Sequence, residues 1–393
     1  MDKIMTPFHK HSSRVNLYLD ESQNSRAHPY KNSFFQNELN ATCDILMKII
    51  SRSEDLLERN LQNEFTGKSQ ELGHDIILIS GERGVGKTSF MLSLEQYIQS
   101  NDSRFSNPIR QKLKKSLMFL PKILEPALTE EGEFFLATII SLIKQTIIKY
   151  HKHPMNNNSE IVKGYNDWKS QLNLLESCLI GLNSQTYKKM VEKTLFDREI
   201  AGNEILTTVD NASKLRENFV RFISLSVNCL NYLQDTNASA MVLMIDDVDT
   251  SFQNAWFIME TLRKYCISPQ LIVIASGHLE LFEASIKKRI IDELKEVYSY
   301  AIGIEDKLSI DEYRQNVGMT ARQYLLKLFP RENHIHLENL SVLFSDNRMN
   351  MSSISVLKKE KFKTTSNEMG VSLKQLMDDF RWVGTRRLFP LPG

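Results

Sequence analysis

The run Gly81-Glu82-Arg83-Gly84-Val85-Gly86-Lys87-Thr88 fits G-x-x-x-x-G-K-[ST] without a mismatch, and Ser89 carries it on into a helix. A loop that wraps phosphates must aim several backbone N–H groups inward, and side chains at the glycine positions would block that approach. Gly81, Gly84 and Gly86 supply the room. Lys87 brings a point charge to the β and γ phosphates, and Thr88 offers a hydroxyl to Mg²⁺. The helix that follows turns its N-terminal N–H groups toward the anion. Residues 81 to 89, with Glu82, Arg83 and Val85 between the glycines, therefore read as a phosphate-binding loop for a nucleoside triphosphate and Mg²⁺, with ATP the expected nucleotide.

A second set of groups belongs to the same chemistry. Met241-Val242-Leu243-Met244-Ile245-Asp246-Asp247-Val248-Asp249 is an aliphatic run ending in carboxylates, the form of a buried strand whose C-terminal edge meets a ligand. Asp246 is expected to hold the Mg²⁺ shell, and Asp247 to orient or deprotonate an attacking water. Aspartate pairs are common in turns after strands, so this pattern gains its weight from the glycine loop upstream. Leu271-Ile272-Val273-Ile274-Ala275 is another aliphatic strand and ends in Ser276-Gly277-His278. Ser276 is the candidate for touching the γ-phosphate or the water, against the plainer reading of a strand-ending turn. Near the end of the sequence, Phe380-Arg381-Trp382-Val383-Gly384-Thr385-Arg386-Arg387-Leu388 sets three arginines beside aromatics. A phosphate-sensing arginine and a basic tail are equal readings of it.

These groups need a sheet to hold them. Ile76, Ile77, Leu78 and Ile79 form a short, partly β-branched run leading into the glycines, which suits a central strand buried on both faces of a parallel sheet. Before it, residues 1 to 33 mix polar stretches with short extended pieces such as Val15 to Leu19, broken at Pro7 and Pro29, and suggest an arm or a loose strand pair. From Phe34 to about Leu61, Leu39, Ile45, Leu46, Ile49, Ile50, Leu56 and Leu57 recur at helical spacing. Tyr30 reads as a core or surface tyrosine, with stacking on a base as the alternative.

After the loop we expect a helix from Ser89 to Ile98, then a polar loop in which Arg110, Lys112, Lys114 and Lys115 are solvated charge. A strand from Ser116 to Leu124 and an apolar helix from Glu133 to Tyr150 complete one βαβ step. Amphipathic runs at Trp168 to Leu182, Tyr187 to Phe196 and Leu215 to Leu233 then form a long helical interruption. About 160 residues separate Lys87 from Asp246, where a bare core needs only a few tens, so residues 151 to 237 read as an insertion carrying partner or substrate specificity. Helices follow at Phe252 to Tyr265, Leu279 to Tyr300 and Asp311 to Leu328, with Ile335 to Leu337 as a last strand. The expected division is an N-terminal arm and lead-in helix (1–69), a core in two parts (70–150 and 238–340) around the insertion (151–237), and a C-terminal lid region (341–393). The sequence ends six residues after Arg387, so a lid helix starting at Gly384 is short, as in a portion of a longer polypeptide.

Composition sets the outer bounds. With 393 residues, 41% of them hydrophobic, the chain can bury a sizeable core and its length suggests two or more lobes. Lys and Arg total 49 against 48 Asp and Glu, so the net charge of +1 gives no global attraction to nucleic acid or an anionic membrane. Cys43, Cys178, Cys229 and Cys266 lie far apart, without C-x-x-C spacing, as reduced core thiols do. The pairs His9/His11, His151/His153 and His334/His336 ligate a metal only where further ligands converge, and otherwise read as surface or strand histidines. No apolar run approaches the roughly eighteen residues of a membrane span, and MDKIMTPFHKHSSR lacks a signal-peptide core, so cytoplasm is the expected compartment and no membrane partner is expected.

The order strand, GERGVGKTS, strand, helix, LMIDDVDTS, helix, LIVIASGH and a tail with GTRR resembles the AAA+ branch of P-loop ATPases, above all its origin-recognition, signalling (STAND) and KAP groups. The resemblance covers roughly residues 70 to 150 and 238 to 390. It implies an α/β P-loop NTPase with a parallel sheet flanked by helices, a large helical insertion and a small C-terminal helical lid. By it Lys87 and Thr88 are Walker A, Asp246 and Asp247 Walker B, Ser276 sensor 1, and Arg387 the sensor 2 arginine. Two departures stand out: Asp247 where many members have Glu, and Ser276 where Asn or Thr is usual. The family places nucleotide between subunits of a homo-oligomeric ring, with an arginine finger from the neighbour, for which Arg289, Arg322 and Arg331 are candidates. The phrases ILEPALTEEGEFFLATII and QYLLKLFP are similar to bacterial anti-phage defence ATPases, such as the RADAR ATPase component with its adenosine deaminase partner. The resemblance thus implies a Mg²⁺-dependent ring ATPase, against a nucleotide-gated signalling or scaffold module with little turnover. A DNA-binding origin-type ATPase is a third reading, which the near-neutral charge disfavours.

Overall fold

The computed structural model describes residues 15–19, 27, 30, 33, 35–66, 75–101, 107–126, 135–151, 159–182, 198–249, 252–301, 310–339, 354–358 and 370–372. The chain divides into two compact units. The larger comprises Ala41–Ser80 and Asn101–His336, the smaller Met1–Asn40, Gly81–Ser100 and Leu337–Gly393. The glycine loop thus leaves the larger unit at Ser80 and belongs, with its helix, to the smaller one.

The larger unit is built on a five-stranded, wholly parallel sheet. Its strands are β2 (Ile76–Ser80), β3 (Leu117–Phe119), β4 (Ala240–Ile245), β5 (Leu271–Gly277) and β6 (His334–His336), in the order β3-β4-β5-β2-β6. Every residue of β2, β4 and β5 is buried. That explains why these segments read as continuous aliphatic runs rather than alternating ones, since helices cover both faces of a parallel sheet. The helices are α3 (Pro108–Ser116), α4 (Phe135–His151), α5 (Ser159–Leu182), α6 (Arg198–Gln234), α7 (Phe252–Tyr265), α8 (Leu279–Ala301) and α9 (Ile310–Leu328), together with most of the lead-in helix α1 (Gln36–Thr66). On α1, Ser53 Oγ donates to Pro269 O and Arg52 pairs with Asp75 at 3.2 Å, which ties the helix to the strand entrances. Among the described residues no helix is long and apolar enough to cross a membrane.

The structure differs from the sequence reading around α3 and β3, and it adds how residues 151 to 237 pack. The polar loop expected around Arg110, Lys112, Lys114 and Lys115 is the helix α3. Asn107 caps it, its Oδ1 accepting from Ile109 N at 2.9 Å, and Pro108 fills the first turn, where its missing N–H costs nothing. Leu113 packs inward and Arg110 is buried with it, while Lys114 and Lys115 sit at the carbonyl end, where the helix dipole favours cations. The strand expected from Ser116 to Leu124 is shorter, because Pro121 has no N–H to give the ladder; Leu120 N still bonds Val242 O, and Leu124 returns as an isolated bridge to Ile245. Residues 151 to 237, finally, carry no core of their own in the described part. Trp168, Leu172 and Leu175 of α5 and Phe219, Phe222, Ile223 and Leu230 of α6 join one cluster with Met241 and Leu243 of β4. Trp168 Nε1 donates to Ser226 Oγ at 3.1 Å, and that hydroxyl donates to Phe222 O. The run Tyr187 to Phe196 lies outside the described residues.

All four cysteines are free thiols in this unit, and all are buried. Burial pushes the Cys43, Cys229 and Cys266 thiols up to about 12.

The smaller unit holds α2 (Lys87–Gln99) and a three-stranded sheet in the order β1-β7-β8. Here β1 (Val15–Leu19) runs parallel to β7 (Ile354–Lys358), and β8 (Gly370–Ser372) antiparallel to β7. The described residues beyond 340 are therefore strands, and Gly384 and Arg387 lie outside the described residues. Tyr30 stacks on Tyr97 of α2 with ring centroids 4.5 Å apart, its hydroxyl accepting from Asn40 Nδ2 at 2.8 Å, while Phe35 meets Phe90 edge-on. The alternative of Tyr30 stacking on a base is thus met by a protein ring instead.

Because α5 and α6 share the apolar cluster of β4, Trp168→Ala should lower the stability of the whole sheet unit, by roughly 3–5 kcal/mol for loss of a buried tryptophan. Urea unfolding followed by circular dichroism should show one transition moved to lower denaturant. A second, separate transition carrying the entire loss would mean that the helices fold apart from the sheet.

Candidate functional site

The loop begins where β2 ends. Gly84 and Gly86 have φ of 82° and 99°, in the left-handed region that L side chains rarely adopt. A Cβ built on either would meet no protein atom within 4 Å, so within the protein it is backbone conformation that requires glycine there. Gly81 is a different case: its Cβ would come within 2.7 Å of Leu337 O and 2.9 Å of Val85 Cγ1, a close approach that only glycine permits. The turn is closed by Val85 N on Glu82 O at 3.3 Å, and Gly86 O accepts from Phe90 N at 2.8 Å to start α2. No side chain caps that helix, and first-turn N–H groups have no partner within a helix.

Lys87 is buried and folds back over the turn. Its Nζ donates to Gly81 O at 3.1 Å and Glu82 O at 3.2 Å. The ammonium is thus held by two neutral carbonyls on the loop's entering arm, which an anionic oxygen outbids as an acceptor. Thr88 follows in the first turn of α2, and Ser89 O accepts from Ser93 Oγ one turn on. Glu82, Arg83 and Gly84 are exposed at the loop's outer side, and Asn339 Nδ2 donates to Glu82 Oε2 at 3.0 Å.

In the larger unit the expected acidic group assembles at the C-terminal edge of the sheet. The registers Ile245↔Ala275 and Ser80↔Gly277 bring the ends of β4, β5 and β2 to one edge. With β5 between them, β2 and β4 stand two strand spacings apart, about 10 Å. Asp246 and Ser276 are both buried and directly bonded: the Ser276 hydroxyl donates to Asp246 Oδ1. Asp247 N donates to the same Oδ1 at 3.1 Å and lies 2.9 Å from Ser276 Oγ. Asp247 has φ 48°, unusual for a residue other than glycine, and this turn brings Val248 N onto Ser276 O at 3.1 Å. Aspartate is one of the few residues that tolerates the conformation, so the second carboxylate serves the backbone as well as any chemistry.

Several residues of this edge are invisible to motif reasoning. Asp249 Oδ2 accepts from His278 N at 3.1 Å. A Cβ on Gly277 would strike the Phe282 ring, 2.8 Å from Cε2, and come within 3.3 Å of Asp249 Oδ1. Nδ1 of His278 is buried without a hydrogen-bond partner. The Gly-His dipeptide after Ser276 was the available signal, and it reads equally well as a turn. Of the arginine candidates, Arg289 lies 6.0 Å from the Trp256 ring centre, Arg322 pairs with Glu283 at 3.4 Å and stays exposed, and Arg331 opens the 3-10 turn Arg331–Asn333.

The donors fit a hard divalent cation. Within the larger unit, the Asp246 carboxylate, anchored through one oxygen, is a hard oxygen donor of the type that Mg²⁺ prefers, and in the smaller unit the Thr88 hydroxyl is another. No group of three or more His, Cys, Asp or Glu side chains gathers as a metal site among the described residues.

Gly277→Ala should collide with Phe282 and displace the Ser276–Asp246 pair, costing about 1–3 kcal/mol by overpacking. A melting temperature unchanged within error would contradict that packing. Compared with known proteins, the chain matches no family model and no curated protein.

Proposed function

We propose that the chain is a P-loop ATPase of AAA+-like type, which binds ATP with Mg²⁺ and hydrolyses it. The observation that carries this reading is the glycine loop itself. Gly84 and Gly86 turn left-handed, Lys87 folds across the turn, and the loop follows a central strand of a parallel sheet whose C-terminal edge also holds the Ser276–Asp246 pair. In such sheets ligands bind outside the carboxyl ends of the strands.

In this reading the loop amides and Lys87 take the phosphates, the Lys87 ammonium exchanging the Gly81 and Glu82 carbonyls for phosphate oxygens. Thr88 and Asp246 hold Mg²⁺, which supplies charge neutralisation on the phosphates when bound. Asp247 orients the attacking water and takes its proton as the water oxygen bonds to the γ-phosphorus and the bond to the β–γ bridging oxygen breaks. ADP and phosphate leave. Ser276 acts through Asp246, since its single hydrogen is spent there. Arg387 as a phosphate-sensing residue, the helical lid, the homo-oligomeric ring with a neighbour's arginine finger, an effector enzyme such as an adenosine deaminase, a role in anti-phage defence and a cytoplasmic site all belong to the proposal through the family resemblance.

One observation favours a second reading, in which nucleotide is held and little is turned over. Asp247 is one methylene shorter than glutamate, and its backbone is held in a left-handed turn. Phosphate release with Mg²⁺-ATP, beside nucleotide binding and mass photometry, separates the two. Lys87→Ala should abolish binding. Asp247→Asn should keep binding and lower turnover by at least about a hundredfold, the scale of a general base. Equal loss of binding in both variants would overturn the roles assigned, and a wild-type protein that binds without turnover would establish the scaffold reading.

A further inference from the structure

Ser80, the last residue of β2, directly precedes the glycine loop, and its hydroxyl is shared by two imidazoles of the outer strand β6. His334 Nε2 lies 2.6 Å and His336 Nδ1 2.9 Å from Ser80 Oγ. Both rings reach one oxygen because residues two apart on a strand share a face, and the register sets Ser80 opposite His336. The hydroxyl has one hydrogen. With both rings neutral, one ring accepts that hydrogen while the other donates its N–H to the oxygen, and all three groups are satisfied. Ser80 is buried, so a proton placed on the accepting ring turns it into a donor and strands the Ser80 hydrogen without an acceptor.

The same segment continues beside the loop. Leu337 O occupies the space that a Cβ at Gly81 would need, and Asn339 Nδ2 holds Glu82 Oε2. Gly81 and Glu82 are the residues whose carbonyls hold Lys87 Nζ. Residues 334 to 339 therefore meet Ser80, Gly81 and Glu82 in succession. We propose that segment 334–339 is a proton-sensitive strap on the entering arm of the phosphate loop: protonation of the His334–Ser80–His336 trio releases it and weakens anion binding by the loop. Only the clause on anion binding rests on the phosphate-binding reading.

The segment itself carries Glu338, two residues after His336, and burial first, with the charge of Glu338 beside it, raises the Glu38 carboxyl of α1. The facing residues of β2, Leu78 and Ile79, carry no charge. The turn before β6 carries Arg331 and Glu332, and α1 brings Lys48 and Arg52 to the cavity lined by Glu332 and Asn333, with Arg52 paired to Asp75. Burial first, and His336 second, hold His334 below its ordinary value. The folded strand edge thus binds fewer protons than the opened one. The pairing is at full strength above about pH 6.5, the ordinary histidine value, and is lost as pH falls from there toward the lowered one.

The test is hydrogen exchange of the amides of residues 76 to 86 at pH 7.5 and 5.5, corrected for intrinsic rates, on the full chain without nucleotide. The wild type is compared with His334→Gln/His336→Asn, whose amides keep the hydrogen bonds and do not titrate. Protection in the wild type should fall by about tenfold, the limit for one linked proton over one pH unit below its pKa, and stay level in the variant. Equal pH steps in both proteins overturn the strap. Should the double variant fail to fold, His334→Gln alone makes the comparison, and an unchanged step again overturns it. Affinity for a fluorescent ATP analogue, read on the same samples, should follow protection. Protection that behaves as expected with no nucleotide bound at either pH leaves the strap standing and removes the nucleotide reading.

Discussion

A parallel sheet must be covered on both faces, and most of this chain's organisation follows from that constraint. Residues of β2, β4 and β5 are buried throughout, so every strand has to be paid for in apolar helix surface above and below it. The connection from β3 to β4 supplies much of that surface: α4, α5 and α6 lie within it, and Phe135, Trp168, Phe219 and Phe222 all enter the cluster that includes Met241 and Leu243. Length alone suggests an insertion between loop and acidic strand. The burial pattern shows that its described helices also pack on the acidic strand.

The sequence was legible where local physics dominates. Aliphatic runs marked β2, β4 and β5, and the glycine spacing marked a loop whose Gly84 and Gly86 do turn left-handed. It was less legible where a signal was weak or non-local. Asn107-Pro108 was a cap and first turn for α3, overridden in the reading by four basic residues nearby. The His334/His336 pair was noticed for its spacing, but its partner Ser80 lies 254 positions from His334, and no local pattern reports such a contact. Nor does any motif separate a serine that touches substrate from one that holds a neighbouring carboxylate.

That last distinction bears on how the candidate site works. A serine hydroxyl can donate once, and at the end of β5 the donation goes to Asp246. With Asp247 N on the same oxygen, Asp246 is fixed by two donors, which is the support a metal-binding carboxylate needs from its surroundings. On the opposite face of the strand, the position of Gly277 is closed by Phe282 and Asp249.

Lys87 shows the complementary arrangement in the smaller unit. Its ammonium is satisfied by carbonyls of Gly81 and Glu82, so the loop is held closed on itself by its own cation. Hydrogen bonds from an ammonium to an anionic oxygen are roughly twice as strong as those between neutral groups, so the two carbonyls are partners that an anion would outcompete. Those carbonyls belong to the residues that Leu337 and Asn339 also hold, so the cation and the segment after β6 meet on the same two residues.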